Sequence, residues 1–167
     1  MAMSPSWKLG ELPNLRPSEY TETSKDTKNY NCFAWAAEET SKRWDPNSGY
    51  WPKGIERDVT RDLFILAFAT KGYDVCADPY PELGFQKIAI YLDKDGDPTH
   101  AARQLENGYW TSKLGDYEDV EHKTLECLKD YGEATLFMRR PRQGPDCQPP
   151  VLLNYPSAGA PKESTPC

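Results

Sequence analysis

FQKIAIYLDKDGDPTHAARQLENGYWTSKL, residues 85–114, decides the fold. Ile88, Ile90 and Leu92 alternate with Lys87, Ala89 and Tyr91, the period-two pattern of a strand over Phe85–Leu92. The acid-rich run Asp93–Asp97 turns the chain, and Thr99–Glu106 reads as the next strand. Asn107 and Gly108 both tolerate the positive φ of a type I′ hairpin turn, so Tyr109–Leu114 returns antiparallel. With Asn107 and Gly108 as the two turn residues, Glu106 pairs with Tyr109, Gln104 with Thr111, Ala102 with Lys113 and His100 with Gly115. That register puts Gln104, Thr111 and Lys113 on the face of His100.

Upstream, NYNCFAWAA (residues 29–37) opens a first helix expected over residues 31–43. Asn29 or Asn31 serves as its N-cap. Cys32 falls in the first turn, where free N–H groups and the helix dipole ease ionisation of a thiol. The run Phe33–Ala37 is apolar on all sides, which calls for burial and suits a core cysteine equally well. An aromatic, turn-rich loop follows over Trp44–Pro52. A second helix fits Asp58–Lys71, with Val59, Leu63, Leu66 and Ala67 at three- and four-residue steps and Gly72 as its stop. Tyr73–Cys76 starts a strand. Downstream, Val120–Asp130 reads as a short helix and Ala134–Arg140 as an edge strand. The expected fold class is α+β, with N-terminal helices packed on an antiparallel β-meander. One domain spans residues 29–142, preceded by a loose arm (1–28) and followed by a disordered Pro-rich tail (143–167).

The 167 residues suffice for one domain with a substantial core. A net charge of −6 argues against nucleic acid or an anionic membrane surface as the partner. No apolar run approaches the roughly 18 residues of a membrane span, and MAMSPSWKLG lacks a signal-peptide core. A cytoplasmic protein is expected, with export by a route that needs no such peptide left open. The five cysteines are widely spaced with no C-x-x-C pair, which fits reduced thiols rather than a zinc ribbon or a redox motif. Asp93–Asp97 has the acidic spacing of part of a calcium loop but neither the remaining ligand positions nor the late Glu. No metal and no cofactor is expected.

Two histidines occur, His100 and His122. A thiolate nucleophile needs a base within hydrogen-bond reach and a third group to orient that base. Cys32 and His100 are the candidate pair, and a strand fixes an imidazole firmly. Asp116, just beyond the expected partner of His100, is the first choice for the third group, followed by Asp119, Glu121 and His122. Asn29 or Asn31 is available for an oxyanion hole beside the Cys32 N–H, and Lys113 is a further orienting candidate. Trp35, Trp44, Trp51, Gln104 and Trp110 are the candidate cleft lining.

The order Cys on a helix, then His on a hairpin strand, resembles the papain-like superfamily, including NlpC-type peptidases and transglutaminase-like proteins. NYNCFAWA, PTHAARQLENGYWTSKLG (with its WTSKLG block) and DVEH also resemble blocks shared, in the same order, by small, mostly uncharacterised bacterial proteins. The resemblance implies a papain-like fold over residues 29–142, Cys32 as nucleophile and His100 as base, with a His-to-Asp116 separation like that of a transglutaminase-type triad. NlpC-type enzymes place Asp before the Cys and a polar third residue on the return strand. Here Asn31 precedes Cys32, and the return strand offers Thr111, Ser112 and Lys113.

The expected function is a cysteine hydrolase or acyl transferase acting on an amide or thioester bond of a peptide or other amide-containing substrate. The rivals are a non-catalytic binding or immunity-like module with a protein partner, and a toxin-type deamidase or peptidoglycan amidase.

Overall fold

The computed structural model describes residues 11–142. Seven strands form its frame: β1 (Tyr20–Glu22), β2 (Asp74–Cys76), β3 (Phe85–Leu92), β4 (Pro98–Gln104), β5 (Trp110–Lys113), β6 (Asp119–His122) and β7 (Glu133–Pro141). They make one antiparallel sheet in the order β1-β6-β5-β4-β3-β7-β2. Helices α1 (Cys32–Ala36) and α2 (Arg61–Ala69), with 3-10 turns at Pro17–Glu19 and Glu126–Tyr131, complete an α+β fold that is mostly sheet.

β3 spans the expected residues, and Gln86–Tyr91 are buried because both faces of the sheet are covered. Ile88, Ile90, Ala101, Leu136 and Met138 pack beneath α1, α2 and the aromatic residues Trp44, Trp51 and Tyr73. Ala89, Tyr91, Ala102, Trp110 and Val120 face the other way, against Leu12, Leu15, Cys127 and Leu128. The N-terminal arm therefore belongs to the fold from residue 11 onward: Leu12 and Leu15 are buried, Asn14 bonds Asp130, and β1 pairs with β6. The first ten residues and the expected tail at 143–167 lie outside the described residues.

α1 is shorter than expected. Asn31 caps it, its Oδ1 accepting from Ala34 N at 3.1 Å and Trp44 N at 3.0 Å. After Ala37 the chain swings away at Glu38, whose φ is +62°. Tertiary partners hold that exit. Arg103 Nε donates to Trp35 O at 3.2 Å, Arg140 donates to Lys71 O at 2.8 Å, and both guanidiniums meet the Glu38 carboxylate. Helix α2 starts at Thr60, whose hydroxyl accepts from Leu63 N.

Three further expectations change. The β4–β5 loop has three residues, not two: Leu105 N donates to Tyr109 O, Gly108 N to Leu105 O, and Gly108 takes φ +90°. A turn closed by a left-handed glycine is the next commonest hairpin solution. It pairs Arg103 with Thr111 and Gln104 with Trp110, one residue away from the expected register. The expected helix over 120–130 is β6 followed by a 3-10 turn, since Val120, Glu121 and His122 pair with β5 on one side and β1 on the other. β7 is not an edge strand, because it lies between β3 and β2. The edges are β1 and β2, three residues each. Among the described residues no helix is long and apolar enough to cross a membrane.

Gly132 joins the 3-10 turn to β7 at φ +143°, and a Cβ there would lie 2.4 Å from Leu92 O. Gly132→Ala should therefore destabilise the fold by at least about 1–3 kcal/mol, read as a lower urea midpoint. An unchanged midpoint would mean that the close approach of Gly132 to β3 is not required.

Candidate active site

Alternation along β4 sends Ala101 toward α1 and His100 to the opposite face, with its cross-strand neighbour Tyr91. The His100 ring is fully buried. It stacks on Tyr131 at 4.2 Å between centroids and 8° between planes, and meets Tyr91 edge-on at 5.2 Å. The observed register brings Ser112, not Thr111 or Lys113, onto this face. His100 Nε2 lies 3.0 Å from Ser112 Oγ, which lies 2.8 Å from His122 Nε2.

The far end of this chain sets its direction. His122 Nδ1 lies 2.9 Å from Thr124 O, a carbonyl that only accepts, so Nδ1 carries the hydrogen and Nε2 the lone pair. The Ser112 hydroxyl then donates to His122 Nε2 and accepts from His100 Nε2–H. The remaining His100 nitrogen, Nδ1, is left as a lone pair, buried and without a hydrogen-bond partner. Burial, and secondarily His122, pushes His100 down to about 3, and burial pushes His122 down to about 4 against the opposing Thr124 carbonyl. Both rings are neutral at pH 7, so His100 is a base with a free nitrogen whose tautomer is set by its neighbours. Cys127 closes the far end, its thiol 3.0 Å from Thr124 O and 3.5 Å from His122 Nδ1.

Cys32 lies on the α1 side, where the β4–β5 ladder stops after two pairs. The N–H groups of Ala101, Phe33 and Cys32 itself favour its thiolate, as does Arg43, but burial outweighs them and pushes the thiol up to about 12. The expected easing of ionisation is absent from this arrangement: a five-residue helix carries little dipole, and the thiol is almost covered.

The other candidates separate. Asp116 does not reach His100, because its carboxylate is 2.7 Å from Arg43 Nη1 and the one-residue register change moves it off that face. Lys113 is buried on the α1 face, donating to Thr27 O at 2.8 Å and to Tyr117 O beneath the Tyr30 ring. Asp119 is on that face too, accepting from the Tyr30 hydroxyl at 2.7 Å. Glu121 meets Asn107. Asn31 is occupied as the α1 cap and Asn29 is exposed ahead of it, so the expected oxyanion amide is not formed. Trp44, Trp51 and Trp110 are core residues rather than cleft walls, and Gln104 is buried donating to Pro79 O. Trp35 alone among the expected lining is half-buried. It bonds Thr111 Oγ1 at 2.9 Å, stacks on Tyr30 and lies under Arg103.

Sequence reading named His122 but missed Ser112 as its link to His100, and missed Tyr131. The alternation Val120-Glu121-His122 was the available signal for a strand. Among the described residues no group of three or more His, Cys, Asp or Glu is placed to hold a metal ion.

A family model described as a domain of unknown function (DUF7689) matches residues 21–139, more than half of the chain, and the chain belongs to that family. No curated protein and no solved structure matches it.

Both folded-state histidines hold protons less tightly than an unfolded histidine at about 6.5, so the unfolded chain binds more protons between that value and the folded values. Stability should be full above pH 6.5 and fall as the pH drops from 6.5 toward 4. Urea midpoints across that range test this, and imidazole NMR should show both rings still neutral at pH 5. A histidine protonated at pH 6 would contradict the buried chain.

Proposed function

We propose that this member of the DUF7689 family is a cysteine hydrolase or acyl transferase of papain-like arrangement, acting on an amide or thioester bond in a peptide or other amide-containing substrate. The observation that carries the reading is the free Nδ1 of His100, on a ring held from behind by Ser112 and His122. His100 Nδ1 takes the proton of the Cys32 thiol as the sulfur bonds to the carbonyl carbon. The ring then gives that proton to the departing amine or thiol as the scissile bond breaks, leaving an acyl-cysteine. Water or another acceptor adds to the acyl carbon, passing its proton to His100, and the returning sulfur takes a proton back.

Ser112 and His122 take the orienting role expected of Asp116. A hydroxyl backed by a fixed imidazole holds the ring and its tautomer without placing a charge in the core. The three backbone N–H groups around the Cys32 sulfur support a thiolate once formed. Without substrate, Cys32 and His100 lie on opposite faces of β4, the thiol resists ionisation and the ring resists protonation. The proposed transfer therefore requires substrate binding to bring the two groups together beside β4, where its ladder to β5 stops after two pairs.

A second reading, a non-catalytic binding module with a protein partner, is favoured by the neutral, covered thiol. The two readings part on Cys32 chemistry. With iodoacetamide at pH 8, His100→Ala should slow alkylation of Cys32. Against a panel of fluorogenic peptide amides and thioesters, Cys32→Ala and His100→Ala should lose turnover with the fold intact, and Ser112→Ala should lower kcat by about 10²-fold. If the wild type turns over none of the panel and His100→Ala alkylates as fast as wild type, the binding module stands instead.

A further inference from the structure

Two arginines from different strands converge where α1 ends. Arg103 of β4 and Arg140 of β7 have side chains only 10% and 7% exposed. Each is braced by groups other than a carboxylate. Arg140 Nε donates to Gln86 Oε1 at 3.1 Å and its Nη1 to Lys71 O at 2.8 Å, and the guanidinium lies 4.5 Å over the Tyr73 ring. Arg103 Nε donates to Trp35 O at 3.2 Å, and its guanidinium lies 4.9 Å over the Trp35 ring. Guanidiniums held by backbone carbonyls and aromatic faces are oriented before any anion is added.

The remaining ends of the two forks face one carboxylate. Glu38 Oε2 lies 3.7 Å from Arg103 Nη1, and Glu38 Oε1 meets Arg140 Nη2. This carboxylate is unlike the arginines it joins. Its side chain is 43% exposed, so solvent reaches the position it fills. Its backbone takes φ +62°, a region that residues with a Cβ enter at a cost. Turning the side chain outward breaks no backbone hydrogen bond and leaves both arginines braced. Glu39 is engaged separately, with Lys71 at 3.5 Å and Lys42 at 4.0 Å.

We propose that Arg103 and Arg140 form a binding site for a carboxylate-bearing ligand, and that Glu38 is an internal occupant which the ligand displaces. A planar carboxylate offers one oxygen to each fork, and Glu38 does so already. The half-buried Trp35 ring beside Arg103 supplies an apolar wall, which favours an acid carrying an apolar or aromatic group. The site does not depend on the reactivity of Cys32.

The test is calorimetric titration of the full chain with N-acetyl-phenylalanine, with its amide, with benzoate and with inorganic phosphate. Glu38→Gly removes the occupant and suits the positive φ, and Glu38→Gln keeps the side chain's shape without its charge. Each variant should bind N-acetyl-phenylalanine about tenfold more tightly than wild type, the gain expected where an internal group fills the site about nine-tenths of the time. The amide should not bind, and adding Arg103→Gln to Glu38→Gly should abolish binding of the acid. Far-UV circular dichroism reports the fold of each variant, and Glu38→Gln carries the test should Glu38→Gly not fold. Binding of N-acetyl-phenylalanine without benzoate assigns the site to peptide C termini, and binding of both assigns it to organic acids at large. Equal affinity for acid and amide, or no gain on removing the Glu38 charge, overturns the proposal and leaves Glu38 as a clasp on the exit of α1. Phosphate bound as tightly as the acid overturns the carboxylate class. Turnover is not read, so the result stands apart from whether Cys32 is catalytic.

Discussion

Everything about the candidate site depends on the register between β4 and β5. The Glu106-Asn107-Gly108 loop sets it, and the side-chain period of two converts a one-residue choice into a choice of face. In the observed register the Ser112 hydroxyl stands between two imidazoles. In the neighbouring register Thr111 and Lys113 would face His100, and a lysine would be buried against a neutral ring with no acceptor in view. The three-residue turn thus determines whether the interior beneath the sheet is charged or neutral.

Neutrality explains the rest of that face. Two histidines, a serine and a cysteine share it with Tyr91, Tyr131, Trp110 and Leu128, and every hydrogen bond in the chain from Thr124 to His100 runs one way. Such a chain needs no counter-ion and costs little to bury while each member is paired. The single unpaired atom, His100 Nδ1, stands out for that reason. The α1 face is built differently. There Lys113, Arg103 and Arg140 hold backbone, Lys113 on Thr27 and Tyr117, Arg103 on Trp35 and Arg140 on Lys71, while Asp119 accepts from the Tyr30 hydroxyl and Glu38 meets both guanidiniums. One sheet therefore separates a neutral interior with a free base from a charged layer that ties down the helices and the N-terminal segment.

How much of this was legible in the sequence depends on the range of the forces involved. β3 was readable because alternation is a local signal, and α2 because its apolar steps and Gly72 are local too. The position of the Asn107-Gly108 turn was readable, but its length was not, because two- and three-residue loops accept the same dipeptide. That one residue carried Asp116 and Lys113 into the expected site and left Ser112 out. α1 was drawn too long because its stop is set by Arg103 from β4 and Arg140 from β7, which no local pattern announces. Cys32 was expected to ionise readily from its place in a helix, whereas its acidity is governed by burial, a property of the assembled fold. β1 escaped notice because its three residues carry no apolar alternation, and β6 because its Val120-Glu121-His122 alternation lies inside the longer run that reads as a helix over 120–130.

The same brevity shapes how the protein behaves toward its neighbours. A sheet of seven strands has two open rims, and an open rim with free amides and carbonyls invites another chain to add itself. Here both rims are only three residues long, and each carries a carboxylate, Glu22 on β1 and Asp74 on β2. The two longest strands, β3 and β7, sit inside the sheet with both of their edges already paired. A protein built on so much strand thus offers little template for growth into fibrils or stacked aggregates, and its crowded interior is shielded by its two least conspicuous strands.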